Sequence, residues 1–129
     1  MTVSYLDTSA AMKLLLEEPE SAALVEALAS DPHCRLAASW LLHTELHCAA
    51  GRHPDDVAPD AVRGVLNAVT LVDLSRGDMI AAGAHAPLRS NDAIHLAVAI
   101  RLGVDEIITY DRELAEVASR AGLTVVAPA

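Results

Sequence analysis

Phenylalanine is absent from this 129-residue chain, and one tryptophan and two tyrosines are its whole aromatic supply. Binding of single-stranded nucleic acid by stacking bases on aromatic rings therefore has only Tyr5, Trp40 and Tyr110 to draw on. Basic charge is scarce as well: nine Lys and Arg stand against eighteen Asp and Glu, giving a formal charge of −9. A protein that grips nucleic acid through its phosphates ordinarily carries a basic stripe, so this balance taken alone argues against such a partner. The only two cysteines, Cys34 and Cys48, are too few for a disulfide scaffold. With no charged and apolar leader pattern at the start of the chain, they fit a reduced, cytoplasmic setting. No apolar run reaches membrane-spanning length, so no membrane association is expected.

What the chain does have is small aliphatic residues. Hydrophobic residues make up 53% of it, mostly Ala, Leu and Val, which suits close-packed helices over a short-stranded sheet. The length is that of one ordinary domain with a core large enough to fold alone, so residues 1–129 are read as a single domain. Apolar periodicity and breaker residues predict strands at 2–7, 34–38, 70–73, 106–109 and 123–126. Helices are predicted at 9–17, 19–30, 39–50, 59–69, 75–85, 91–102 and 111–121. Strands alternating with helices give a parallel sheet covered on both faces, an α/β fold of the three-layer α/β/α kind. Two loops stand out, Gly51 to Pro59 and Ala86 to Ser90, and both are candidates to border a site.

Against that frame four acids are conspicuous. Asp7 closes the first strand and Asp111 closes the fourth, each handing over at once to a helix. In open parallel sheets the crevice beyond the carboxyl ends of the strands is where ligands bind. Glu45 lies about two turns into the helix that starts near an N-cap at Ser39. Asp92 opens a helix that is apolar nearly all round, where the helix dipole favours its ionised form. Four carboxylates gathered at one sheet edge call for a divalent cation of the hard, oxygen-preferring class. Without one they would repel: two unit charges about 4 Å apart cost roughly 4 kcal/mol at an effective dielectric of about 20.

Each acid also has a plain structural role open to it. Asp7 and Asp111 suit helix N-caps, Asp92 suits dipole complementation, and Glu45 suits a surface pair with Arg52. It is the joint pattern that is distinctive. Tyr-Leu-Asp7-Thr-Ser, the helical Glu45, Ser-Asn-Asp92-Ala-Ile-His-Leu-Ala and Thr-Tyr-Asp111 resemble the PIN-domain family, and within it the VapC-type toxins of bacterial toxin–antitoxin pairs. The resemblance runs from about Val3 to Val126. It departs at Asn91, where an apolar residue is expected, and at Trp40 and His43 on the Glu45 helix, departures that bear on specificity.

The resemblance implies an endoribonuclease dependent on Mg2+ or Mn2+, acting as the toxin of such a pair. Asp7, Glu45 and Asp92 would be metal ligands and catalytic acids, with Asp111 a ligand directly or through water. The hydroxyls of Thr8, Ser9 and Thr109 would sit alongside on the substrate side. RNA products would carry a 5′-phosphate and a 3′-hydroxyl. A cognate antitoxin is the implied partner, laying a segment into the groove and placing an Arg near the carboxylates, and homodimers or toxin–antitoxin hetero-oligomers are the implied assemblies. Of the −9 charge, four belong to the proposed site and would be offset by metal. The remaining excess makes Lys13, Arg52, Arg89 and Arg112 the candidates for contacting RNA, each lying near a site segment.

Competing readings are open. A non-catalytic PIN-like scaffold that binds RNA or a partner would need none of the four acids. A phosphohydrolase with Asp7 as nucleophile would need a second Asp two residues on, where this chain has Ser9. A zinc site from His43, His47, Cys48 and Cys34 lacks the usual ligand spacing. His95, one turn past Asp92, could contact substrate, orient that carboxylate, or simply bond within the helix layer.

Overall fold

A computed structural model describes residues 1–129. The elements in chain order are β1 (Val3–Leu6), α1 (Thr8–Leu15), α2 (Ser21–Ser30), β2 (Arg35–Ser39), α3 (Leu41–Arg52), α4 (Pro59–Asn67), β3 (Val69–Val72), α5 (Arg76–Ala82), α6 (Ser90–Leu102), β4 (Glu106–Ile108), α7 (Arg112–Arg120) and β5 (Thr124–Val126). All five strands are parallel, in the order β3-β2-β1-β4-β5, with helices completing a three-layer α/β/α arrangement. No helix is long and apolar enough to cross a membrane.

The strand order decides where a site can form. From β1 the chain steps outward to β2 and β3, then returns to lay β4 against the other side of β1. Connections leaving β1 and β4 therefore diverge, and a crevice opens between those two strands at their carboxyl ends. Register brings the edge into line: Leu6 pairs with Ile108, so Asp7 and Thr109 follow one step beyond the pair. Asp7 is still tied into the sheet, its N–H donating to the Ile108 carbonyl at 3.3 Å.

Burial explains the element boundaries. Tyr5 and Leu6 point to opposite faces of β1 and both are fully buried, as expected of a central strand covered on both sides. Helix α6 buries Ala93, His95, Leu96, Ala97, Val98 and Ala99. Its small residues Ala93 and Ala97 pack with Ala82 of α5 in a satellite cluster that lets the two helices approach closely. It stops at Gly103, whose φ of 63° is left-handed and whose N–H caps the Ala99 and Ile100 carbonyls. The α5–α6 pair is locked at its far end, where Arg101 donates to both oxygens of buried Asp78 at 2.7 and 3.0 Å. That guanidinium holds the Asp78 carboxyl below its usual range, and Asp78 also completes a capping box with Ser75.

Differences from the sequence expectations are small and local. The helix expected over 75–85 ends at Ala82 and tightens into a 3-10 turn over Gly83–His85. The helix expected from 39 begins at Leu41, because Ser39 is the last residue of β2 and only its Oγ accepts the Leu41 N–H, at 3.2 Å. Leu96, fully buried in the main core, and Ile80, 72% exposed, give the packing a direct check. Leu96→Ala is expected to cost about 3 kcal/mol in urea unfolding, as a cavity in a close-packed core does. Ile80→Ala is expected to stay within about 0.5 kcal/mol.

Candidate active site

Asp7, Ser9, Glu45, Arg89, Ser90, Asn91, Asp92 and Asp111 line one open cleft of about 360 Å3 at the carboxyl edge of β1 and β4. Four acids from four different segments thus share a single hollow with one cation, Arg89. No carboxylate of the cleft forms an ion pair with a Lys or Arg. No three His, Cys, Asp or Glu side chains are grouped tightly enough to grip one ion as they stand.

Asp7 is the most enclosed of the four, at 2% exposure. It is the N-cap of α1, its Oδ1 accepting from the Ala10 N–H at 2.9 Å and from Ser9 Oγ at 2.7 Å. Its Oδ2 accepts from Thr109 Oγ1 at 2.6 Å. Burial pushes this carboxyl above its ordinary pKa although those three hydrogen bonds pull the other way. Ser9 and Thr109 in turn accept from the N–H groups of Tyr110 and Asp111, at 2.9 and 3.1 Å. The two hydroxyls therefore latch the 109–111 segment onto Asp7.

Glu45 projects from α3 with its side chain 20% exposed. Its Oε1 accepts from Thr8 Oγ1 at 2.7 Å and from His95 Nε2 at 2.5 Å, while Asn91 Nδ2 lies 3.4 Å from Oε2. Burial works to raise its pKa, but the His95, Thr8 and Asn91 hydrogen bonds outweigh that and hold it below the usual value. The surface pair with Arg52 does not form. Asp111 is the N-cap of α7, with Oδ1 accepting from the Leu114 N–H at 2.9 Å and Oδ2 left free. Asp92, in the first turn of α6, receives no hydrogen bond from the protein. Burial, then the charges of Asp111, Asp7 and Glu45, push its pKa up to about 6.

Capping and site-building are thus the same act for Asp7 and Asp111. A cap uses one oxygen and fixes the side chain, leaving the other oxygen directed by geometry that the helix start imposes.

The proposed substrate contacts divide. Arg89 lines the cleft, but Thr8, Ser9 and Thr109 have given their single protons to Glu45 and Asp7, and Thr109 is 1% exposed. All three hold carboxylates in place, and of them only Ser9 also lines the cleft. Lys13 is likewise turned away: its ammonium pairs with Glu20 at 2.8 Å and Glu18 at 3.5 Å, and lies 4.9 Å from the centre of the Tyr110 ring. Arg112 and Arg52 are exposed at the start of α7 and the end of α3, outside the cleft lining. Of the two loops expected to border the site, the 86–90 break does so through Arg89 and Ser90, and nothing from 53–58 does. His43 and His47 lie against each other with tilted rings, centres 4.5 Å apart, beside exposed Trp40, with no third zinc donor grouped with them.

Sequence reasoning undervalued two residues. His95 reaches Glu45 and not Asp92, and Tyr5, read only as an aromatic, bonds the other ring nitrogen of His95 at 2.7 Å. The available signal was a ring nitrogen within the apolar run 93–99 and a phenol on the central strand, since buried polar atoms require partners.

A five-stranded parallel sheet with four acids collected at its switch point, Asp7 and Glu45 held there by neighbouring hydroxyls, has a PIN-type fold. The sequence model of the PIN domain matches residues 4–120, and the chain belongs to the PIN-domain family, within it to the VapC type. Ribonuclease VapC46 of Mycobacterium tuberculosis is 39% identical, the match covering 99% of each chain. The crystal structure of VapC20 from the same species, a sarcin–ricin-loop-cleaving toxin, superposes with a TM-score of 0.72 at 18% identity, covering 97% of this chain and 99% of that one. VapBC2 of Rickettsia felis, solved on a DNA fragment from its promoter, superposes with a TM-score of 0.71 at 14% identity, covering 99% of this chain and all of the matched one.

The raised pKa of Asp92 gives a signed expectation. An acid whose folded pKa lies above its unfolded value, here about 6 against a usual value near 4, destabilises the fold as pH rises between the two. In chelator, Asp92→Asn is therefore expected to be more stable than the parent at about pH 8, the gap closing toward pH 4. Urea unfolding at both ends of that range checks it, and a gap that does not change with pH would refute the electrostatic account.

Proposed function

We propose that this protein is the toxin of a toxin–antitoxin pair and acts as a divalent-metal-dependent endoribonuclease on RNA phosphodiesters. The observation that carries the proposal is the single cleft holding Asp7, Glu45, Asp92 and Asp111 with no lysine or arginine paired to any of them. The name of the 39%-identical relative supports the same reading.

The donor set fits Mg2+ or Mn2+. It is made of carboxylate oxygens, as hard cations require, and Asp92 and Asp111 keep oxygens that no protein donor occupies. Mutual repulsion opposes a tighter grouping of the four carboxylates until a cation offsets it. Asp7, Glu45 and Asp92 would hold the ion, with Asp111 joining directly or by way of a water. When bound, the ion supplies Lewis acidity that lowers the pKa of the attacking water and stabilises the leaving oxygen of the phosphodiester.

The chain's own part is positioning. Ser9 and Thr109 keep Asp7 ionisable and immobile in spite of its burial. Thr8 and His95 do the same for Glu45. Asp92, which no protein donor holds, is left to a cation, and the burial and neighbouring acids that raise its pKa to about 6 give it reason to take one. Arg89 is the one cation on the rim able to meet an RNA phosphate. The products would be a 5′-phosphate and a 3′-hydroxyl.

A cognate antitoxin would cover the cleft and its neighbour, an apolar hollow of about 270 Å3 lined by Met79, Leu88, Ala93 and Ile94 that meets the cleft at Ser90. An antitoxin arginine entering among the carboxylates would supply the missing countercharge. Homodimers or toxin–antitoxin hetero-oligomers are the assemblies proposed, in a cytoplasmic setting.

Purified protein incubated with total cellular RNA in Mn2+, in Mg2+ and in chelator is expected to create new 5′ ends only with metal. Asp7→Asn and Asp92→Asn are each expected to lower the rate by more than about 100-fold, beyond the usual effect of an outer-shell change. Folded, antitoxin-free protein that makes no metal-dependent ends would turn the assignment to a non-catalytic scaffold. Metal binding itself is expected to release protons near pH 6, through Asp92, in calorimetry repeated in buffers of different ionisation enthalpy.

A further inference from the structure

We infer that Tyr5 and His95 are positioning residues: a buried relay running from the end of β2 to Glu45 that turns one oxygen of that acid toward the cleft. The inference rests on the metal-nuclease reading above, in which His95 already steadies Glu45, and adds Tyr5, the tautomer of His95 and the choice of Glu45 oxygen left to the cleft.

The relay is complete, and for a neutral imidazole the hydrogen-bond count sets its direction. Tyr5 and His95 are 0% and 1% exposed, so water does not compete for their polar atoms. The Ser39 N–H donates to the Tyr5 hydroxyl at 3.1 Å. Having accepted there, the hydroxyl has its single proton to give to His95 Nδ1, 2.7 Å away. Nδ1 is then the acceptor nitrogen and Nε2 carries the ring proton, which it donates to Glu45 Oε1 at 2.5 Å. The opposite tautomer would leave a lone pair on Nε2 facing the carboxylate and two donors competing at Tyr5. One arrangement satisfies every group, and buried polar groups adopt such arrangements.

Its geometric effect falls on Glu45. Thr8 and His95 both occupy Oε1, whereas Oε2 has only Asn91 at 3.4 Å. One oxygen is thus anchored inside by two donors, and the other keeps only the long contact to Asn91, itself a residue of the cleft lining. The relay also joins four elements, since Ser39 ends β2, Tyr5 lies on β1, Glu45 on α3, and His95 one turn from Asp92 on α6. The spacing of Glu45 and Asp92 is therefore set through the imidazole.

The test separates donor from filler. Gln at position 95 can place an amide N–H where Nε2 stood, while Asn reaches only the Nδ1 position. Mn2+ alone is titrated calorimetrically into the full-length parent, His95→Gln and His95→Asn, each first shown to unfold cooperatively in chelator. His95→Asn is expected to bind Mn2+ about tenfold more weakly and His95→Gln within about threefold of the parent. RNA cleavage should follow in kcat with KM unchanged. Equal weakening in both variants, or parental affinity in His95→Asn, overturns the inference. If neither variant folds, imidazole nitrogen NMR on the parent decides, with a proton on Nε2 expected and a proton on Nδ1 overturning it. A parent chain that takes up no Mn2+ refutes the nuclease reading itself, an outcome seen before any substitution is made.

Discussion

Four carboxylates crowded into one cleft repel each other, and much of the site's architecture exists to hold them against that repulsion. Asp7 is enclosed and held by three hydrogen bonds, Glu45 is anchored through one oxygen, and Asp111 is pinned as a helix cap. Asp92 alone has no protein donor, and the unrelieved charge appears in its pKa of about 6. The hydroxyls and the imidazole hold Asp7 and Glu45, yet no lysine or arginine pairs with any of the four acids. A cleft built this way is strained toward a cation.

The strand order determines that these groups meet at all. Divergent connections on either side of the β1–β4 pair open the crevice, and register lays Asp7 and Thr109 side by side at its floor. Helix α6 then crosses beside it with its small residues packed against α5, so that Asp92 faces the cleft while His95, one turn later, lies inside the protein. The same helix carries a free acid and the ring that orients another. Locking its far end through Arg101 and Asp78 keeps that helix from sliding.

Much of this was legible along the chain. Short β-branched runs ended by acids, and helices flanked by Pro, Gly and Ser, identified every strand and helix to within a few residues. The four acids stood out because they sit at element ends, where a helix start or strand end leaves polar groups to satisfy. The apolar sweep of 93–99 marked α6 as buried. What was not legible was the direction of each neighbouring side chain. Lys13 lies close to Asp7 in sequence, but α1 turns it toward Glu18, Glu20 and Tyr110. Thr8, Ser9 and Thr109 have the chemistry to touch a substrate, and only their partners show that their protons are already used.

The sequence by itself determined the α/β class, the order of elements and the identity of the four acids, because those depend on local periodicity and on residue chemistry at element ends. It took the packed fold to settle how many donors hold each acid, which cation borders the cleft, and that Tyr5 and His95 belong to Glu45. Those facts depend on contacts between residues about ninety positions apart in the Tyr5–His95 pair, and no local pattern of the chain encodes the angle at which two distant segments meet.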